Sequence, residues 1–135
     1  MIPAVRFGKI VGQIGHVPVR MVDAELVRHL TKEPDFVVGG HGYIYDFIPK
    51  REIWLDQDMS PQAVACSALH EATERTLMRQ KKMGYDRAHD FANGVESKMR
   101  AELIKQGGLR GEQPLVVAGR WYRRWLTTHM ERLAA

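Results

Sequence analysis

The sequence predicts an α+β fold, a small antiparallel or mixed sheet followed by helices, on three observations. β-branched and aromatic runs crowd the first 56 residues. From Ser60 onward, apolar residues recur at helical spacing. Strands first and helices later is the order that characterises this class.

Val17-Pro-Val-Arg-Met-Val22 alternates and reads as a strand. Asp23 follows as an N-cap, with Leu26, Val27 and Leu30 marking a short helix to about Leu30. Residues 36–56 form a second β-rich block: Phe36-Val-Val38, Gly39-Gly-His-Gly42, Tyr43-Ile-Tyr-Asp-Phe-Ile48, a turn at Pro49-Lys-Arg51, and Glu52-Ile-Trp-Leu-Asp56. Two runs separated by a few turn residues predict a hairpin. Ser60-Pro61 opens a long helix, Ser as cap and Pro in the first turn, running to Met83 and stopping at Gly84. The next helix begins at Tyr85-Asp86, with Asp86 as the expected N-cap. Its stripe is Ala88, Ala92, Val95 and Met99, and Gly107-Gly108 closes it. Gly94 costs that helix about 1 kcal/mol relative to Ala, which a close helix approach at that point would explain. The tail from Val116 reads as a last helix interrupted at Gly119. Residues 1–113 and a tail of 114–135 packed on the same domain complete the layout.

At 135 residues, with 44% hydrophobic and 27% charged residues, the chain is one domain with a sizeable core. Its single cysteine, Cys66, excludes an intrachain disulfide and a four-cysteine zinc site. No apolar run approaches the roughly 18 residues of a membrane span. Arg6 and Lys9 interrupt the first apolar stretch, unlike a signal peptide, so a cytoplasmic location is expected. The net charge of +4 is concentrated in the tail, where Arg120, Arg123, Arg124 and Arg132 face one acid, Glu131. The rest is nearly neutral, so the uniform basic field of a nucleic-acid binder is absent. Gly8, Gly12 and Gly15 do not match a phosphate-loop spacing.

The segment that carries chemistry is Leu69-His-Glu-Ala-Thr-Glu-Arg75. His70 and Glu74, four apart, project from one helix face one turn apart, the spacing by which a helix offers two ligands to one ion. Glu71, turned by about 100°, would stand beside that ion as a general base. After the turn at Gly84, His89 in the next helix can face back and supply a third ligand. Two imidazoles and a carboxylate suit catalytic zinc and also non-haem iron; Glu71 tips the choice toward hydrolysis. Read without a metal, His70 is a hydrogen-bonded histidine and Glu71 pairs with Arg75 on a solvated face.

Together, the strand at residues 52–56, the His-Glu-x-x-Glu helix and the helix bearing Ala88-His-x-x-Ala92 resemble the minimal zincin-like metallopeptidases. The chain is also similar, from about Val17 to Arg100, to uncharacterised bacterial and phage-associated proteins. Those share a series of Gly39-Gly-His41, Phe47-Ile-Pro49, Ile53-Trp-Leu-Asp56, His70-Glu-x-x-Glu-Arg75 and Ala88-His-x-x-Ala92. The resemblance implies a zincin-like core with His70 as ligand and Glu71 as base. Glu74 stands where a zincin has its second histidine, which makes the site harder and more anionic. His89 as third ligand rests on the two-helix geometry. The expected metal is zinc, with iron or manganese as alternatives, and the expected substrate is a peptide or protein.

Four further features carry expectations. His41, flanked by glycines, could reach the site from a flexible loop as a catalytic donor or extra ligand. Cys66, one turn before His70, reads as a small buried hydrophobe. Glu96 could hold His89 in one tautomer. In Arg120-Trp-Tyr-Arg-Arg-Trp125, the two tryptophans would dock the last helix while the arginines face water. The alternative function is a non-enzymatic phage-type binding module whose basic aromatic tail contacts nucleic acid or a partner protein.

Overall fold

Side-chain caps set the first helix starts where the sequence places them. The Asp23 carboxylate accepts from the Leu26 amide at 3.1 Å and opens α1 (Ala24–Thr31). The Ser60 hydroxyl accepts from the Ala63 amide at 3.2 Å and opens α2 (Pro61–Gln80), each cap satisfying an amide that lacks a helical partner. The computed structural model describes residues 2–130. Before α1 lie β1 (Gly8–Ile14) and β2 (Val17–Val22), and between α1 and α2 lie β3 (Gly39–His41) and β4 (Ile53–Asp56). After α2 come α3 (Tyr85–Gln106) and α4 (Pro114–Trp125), the latter running on into a π-type turn at Leu126–Met130.

The fold is α+β, built on a mixed sheet of strand order β1-β2-β4-β3. β1 pairs antiparallel with β2, β2 parallel with β4, and β3 antiparallel with β4. Both faces of β4 are buried, which explains its unbroken apolar run. Ile53 and Leu55 point to the main core with Ile14, Val19, Ala68, Leu69 and Met99. Trp54 points the other way, into an aromatic cluster with Phe7, Val22 and Phe36. α2 lies in the middle of the helical layer, packed by the sheet, α3 and α4. Hence even its polar residues from His70 to Thr76 are buried.

Several sequence expectations are corrected. β1 was not anticipated. The hairpin partner of β4 is Gly39–His41, whereas residues 43–48 form turns. The glycines explain why: a side chain at Gly40 would lie 2.6 Å from the Tyr45 ring, and one at Gly42 would lie 2.4 Å from Lys50 Cα. The chain folds back over β3 instead of continuing it, and its aromatics pack on Phe36 and Trp54. α2 stops at Gln80, and α3 is capped by Gly84, with Asp86 inside its first turn. α4 passes through Gly119 without a break. Gly94 marks no close approach, since a side chain there would meet nothing within 4 Å. Arg132 and Glu131 lie outside the described residues.

Candidate metal centre

His70, Glu71 and Glu74 come from the buried middle of α2, and His89 from the first turns of α3, which packs against it. The structure brings His70, Glu74 and His89 together. His70 Nε2 and His89 Nδ1 lie 3.2 and 2.9 Å from the same oxygen, Glu74 Oε2, and 3.2 Å from each other. Around an ion with bonds of about 2.0–2.1 Å, neighbouring donor atoms are about 2.9 Å apart in an octahedron and about 3.4 Å apart in a tetrahedron. The observed edges fall between these values, so the three atoms fit one small divalent ion.

The surroundings prepare these atoms. Glu96 Oε1 lies 3.0 Å from His70 Nδ1, within ion-pair reach but out of line for a hydrogen bond. Glu96 thus stands beside His70, where the sequence reading put it on His89; two turns along α3 from His89, it reaches the neighbouring helix. Burial opposes charge on His70, but the Glu74 and Glu96 carboxylates outweigh it and raise the imidazole to about 10. Burial likewise opposes charge on Glu74, yet hydrogen bonds from His41, His70 and His89 hold it down to about 2. The metal-free cluster is thus held by protons that a cation would displace. Burial first, then the Glu74 carboxylate, push Glu71 up to about 8.

Glu71 lines the same cleft as the three candidate ligands, a space of about 450 Å³ with Val38 and Gly39 on one wall and Met59, Tyr85 and Arg100 around it. It does not pair with Arg75, whose Nε and Nη2 instead donate to the Lys50 carbonyl at 3.0 and 2.9 Å. His41 is not on a flexible loop: it sits on β3, fully buried, with Nε2 2.8 Å from Glu74 Oε1. Cys66 is buried in the apolar core, and burial pushes its thiol up. Tyr85 was missed by the sequence reading. Its hydroxyl lies 3.4 Å from His89 Nδ1, and the available signal was its spacing of four from His89 on one helix face. The His41–Glu74 contact joins residues 33 apart in the chain and had no local signal.

Compared with known protein families, curated proteins and solved structures, the chain matches none.

In the tail, Tyr122 and Trp125 are buried and Trp121 partly so, while Arg120, Arg123 and Arg124 are exposed. The Tyr122 hydroxyl meets Thr76 Oγ1 at 2.6 Å. Among the described residues, no helix is long and apolar enough to cross a membrane.

Proposed function

We propose that the protein is a metal-dependent hydrolase of zincin-like type, acting on amide bonds of peptides. The observation that carries this reading is the triangle of His70 Nε2, Glu74 Oε2 and His89 Nδ1, with a buried carboxyl, Glu71, on the same cleft. Those three atoms would hold zinc, or iron or manganese. When bound, such an ion polarises a carbonyl and acidifies water. Glu71 supplies the proton traffic. Its carboxylate takes a proton from the attacking water as the water oxygen adds to the carbonyl carbon. It then returns the proton to the amide nitrogen as the C–N bond breaks. A group lifted toward neutrality by burial is suited to both transfers.

The tail reading is less well supported, because Tyr122 and Trp125 are turned into the core and do not offer their faces for base stacking.

Metal content by plasma mass spectrometry, on protein purified without a metal-affinity tag, tests the centre. One ion per chain is expected, lost in His70→Ala and in His89→Ala. Hydrolysis of a peptide library tests the activity. Glu71→Gln should keep the ion and lose about 10²–10⁴-fold in rate. Loaded protein that cleaves no peptide, with Glu71→Gln indistinguishable from it, would sink the enzyme reading.

A further inference from the structure

The groups of the cleft make two overlapping sets of possible ligands: His70, Glu74 and the half-buried His89 on one side, and the buried His41, Glu71 and Glu74 on the other. Glu74 belongs to both, so on composition alone the cleft could hold two ions bridged by its carboxylate. The hydrogen bonds of His41 decide between one ion and two.

His41 is fully buried, and both ring nitrogens are engaged. Nδ1 faces the Tyr43 amide at 3.2 Å. A backbone N–H can only donate, so Nδ1 must accept and carries no proton. The neutral ring then bears its proton on Nε2, which donates to Glu74 Oε1 at 2.8 Å. For Nε2 to ligate an ion, the proton would have to move to Nδ1 and confront the Tyr43 N–H, leaving two buried donors face to face. The backbone leaves little room to escape this. The His41 carbonyl accepts from the Ile44 and Tyr45 amides at 3.2 and 3.1 Å, and β4 pairs with the strand on its inner side.

We infer that His41 is a positioning residue and not a ligand: it pins Glu74 through Oε1, so that Glu74 offers Oε2 alone and the centre takes a single ion. Glu71 is thereby left without a metal and remains available as the base. This inference rests on the metal reading proposed above. It adds a stoichiometry, a monodentate carboxylate and a role for the glycine-flanked histidine.

Two measurements on the full chain test it. The first needs no metal: long-range ¹H–¹⁵N correlation of the imidazoles in metal-free protein reports the tautomer directly. His41 is expected as the Nε2–H form, and an Nδ1–H form overturns the inference whatever the fate of the metal reading. The second uses Co²⁺ as probe, with stoichiometry, affinity and visible d–d absorption recorded for wild type, His41→Gln and His41→Ala. Wild type is expected to bind one cobalt. His41→Gln, whose amide can still donate to Oε1, is expected to keep the absorption band and nearly all the affinity. His41→Ala frees Oε1 to join Oε2 on the ion, with affinity down about 10- to 100-fold and a weaker band as coordination number rises. Thermal unfolding of each metal-free variant checks folding, and if His41→Ala does not fold, His41→Gln decides. Two cobalt per chain, a folded His41→Ala matching wild type, or a folded His41→Gln that has lost the wild-type band and affinity overturns the inference. If wild type takes up no cobalt, the metal reading falls and takes the single-ion claim with it, while the tautomer result still stands by itself.

Discussion

Two largely buried polar clusters lie on opposite faces of the sheet, and they are built on different principles. On the face away from α2, Arg20 grips Glu52 with two parallel hydrogen bonds of 2.9 and 3.0 Å. The Trp54 indole adds a third at 2.9 Å, and the remaining Arg20 nitrogen donates to the Gly8 carbonyl at 3.0 Å. Each Arg20 nitrogen has an acceptor, and the charges cancel. On the helical face, three imidazoles converge on the one carboxylate of Glu74, two of them on the same oxygen. The first cluster is closed and needs nothing from outside. The second gathers two imidazole nitrogens, 3.2 Å apart, on one carboxylate oxygen, and is held together by protons that a cation would displace.

The sharpest way to break this contrast is to exchange the fates of the two carboxylates. Glu74→Gln should abolish measurable metal uptake, while Glu52→Gln should leave stoichiometry and affinity unchanged. In urea unfolding, Glu52→Gln should instead lose about 2–3 kcal/mol, because it strands a guanidinium that is mostly out of water. If Glu52→Gln lost metal as well, the clusters would not be separable.

Metal addition sharpens the same contrast. Zinc at about 100 times its dissociation constant should stabilise wild type by about 2.7 kcal/mol, or roughly 8 °C in Tm for a chain of this size. Glu52→Gln should show the full increment and Glu74→Gln none.

Acid acts on both clusters, since both carboxyls are lowered, and Glu52→Gln isolates the share of one. Burial pushes the Glu52 carboxyl up, but the hydrogen bonds from Arg20 and Trp54 outweigh it and hold the group below its usual 4.5. A carboxyl lowered on folding contributes stability that is present above its unfolded value and is lost as pH falls through the folded one. The urea midpoint of wild type should therefore drop below about pH 4.5, and part of that drop should vanish in Glu52→Gln.

Glu96→Gln is expected to weaken metal binding by about 10-fold, since it loosens His70 without removing a ligand. The smallest effect belongs to a site far from both clusters. Gly94→Ala places a methyl group in open space on α3, and should raise stability by about 0.5–1 kcal/mol, visible as a rise of a few degrees in Tm.

Local signals in the chain reached as far as one helix and its neighbour. Ser60-Pro61, Asp23 and Gly107 mark real element ends because capping is chemistry between adjacent residues. His70, Glu74 and His89 meet because a tight turn forces α2 and α3 together. The same reasoning misplaced residues 43–48, whose alternation looks like a strand. Gly40 and Gly42 let that segment fold back, and its aromatics find Phe36 and Trp54, partners that no periodicity announces. β1 escaped notice because Gly8, Gly12 and exposed Lys9, Val11 and Gln13 dilute its pattern. His41 on Glu74, and Glu96 on His70, are contacts between elements, fixed by packing and silent in any window of sequence.

The shortness of β3 has a dynamic consequence. Three residues long, it lies at the sheet edge with a strand on one side only. It is held by its pairing with β4, by the amides on the His41 carbonyl and by the His41–Glu74 contact, and the helices keep their own core if it lifts. Lifting it withdraws His41 and releases Glu74. The amides of Gly40 and His41 should then exchange with solvent well before those of α2. Their protection would track whether the carboxylate is held, making the edge of the sheet a gauge of the centre beneath it.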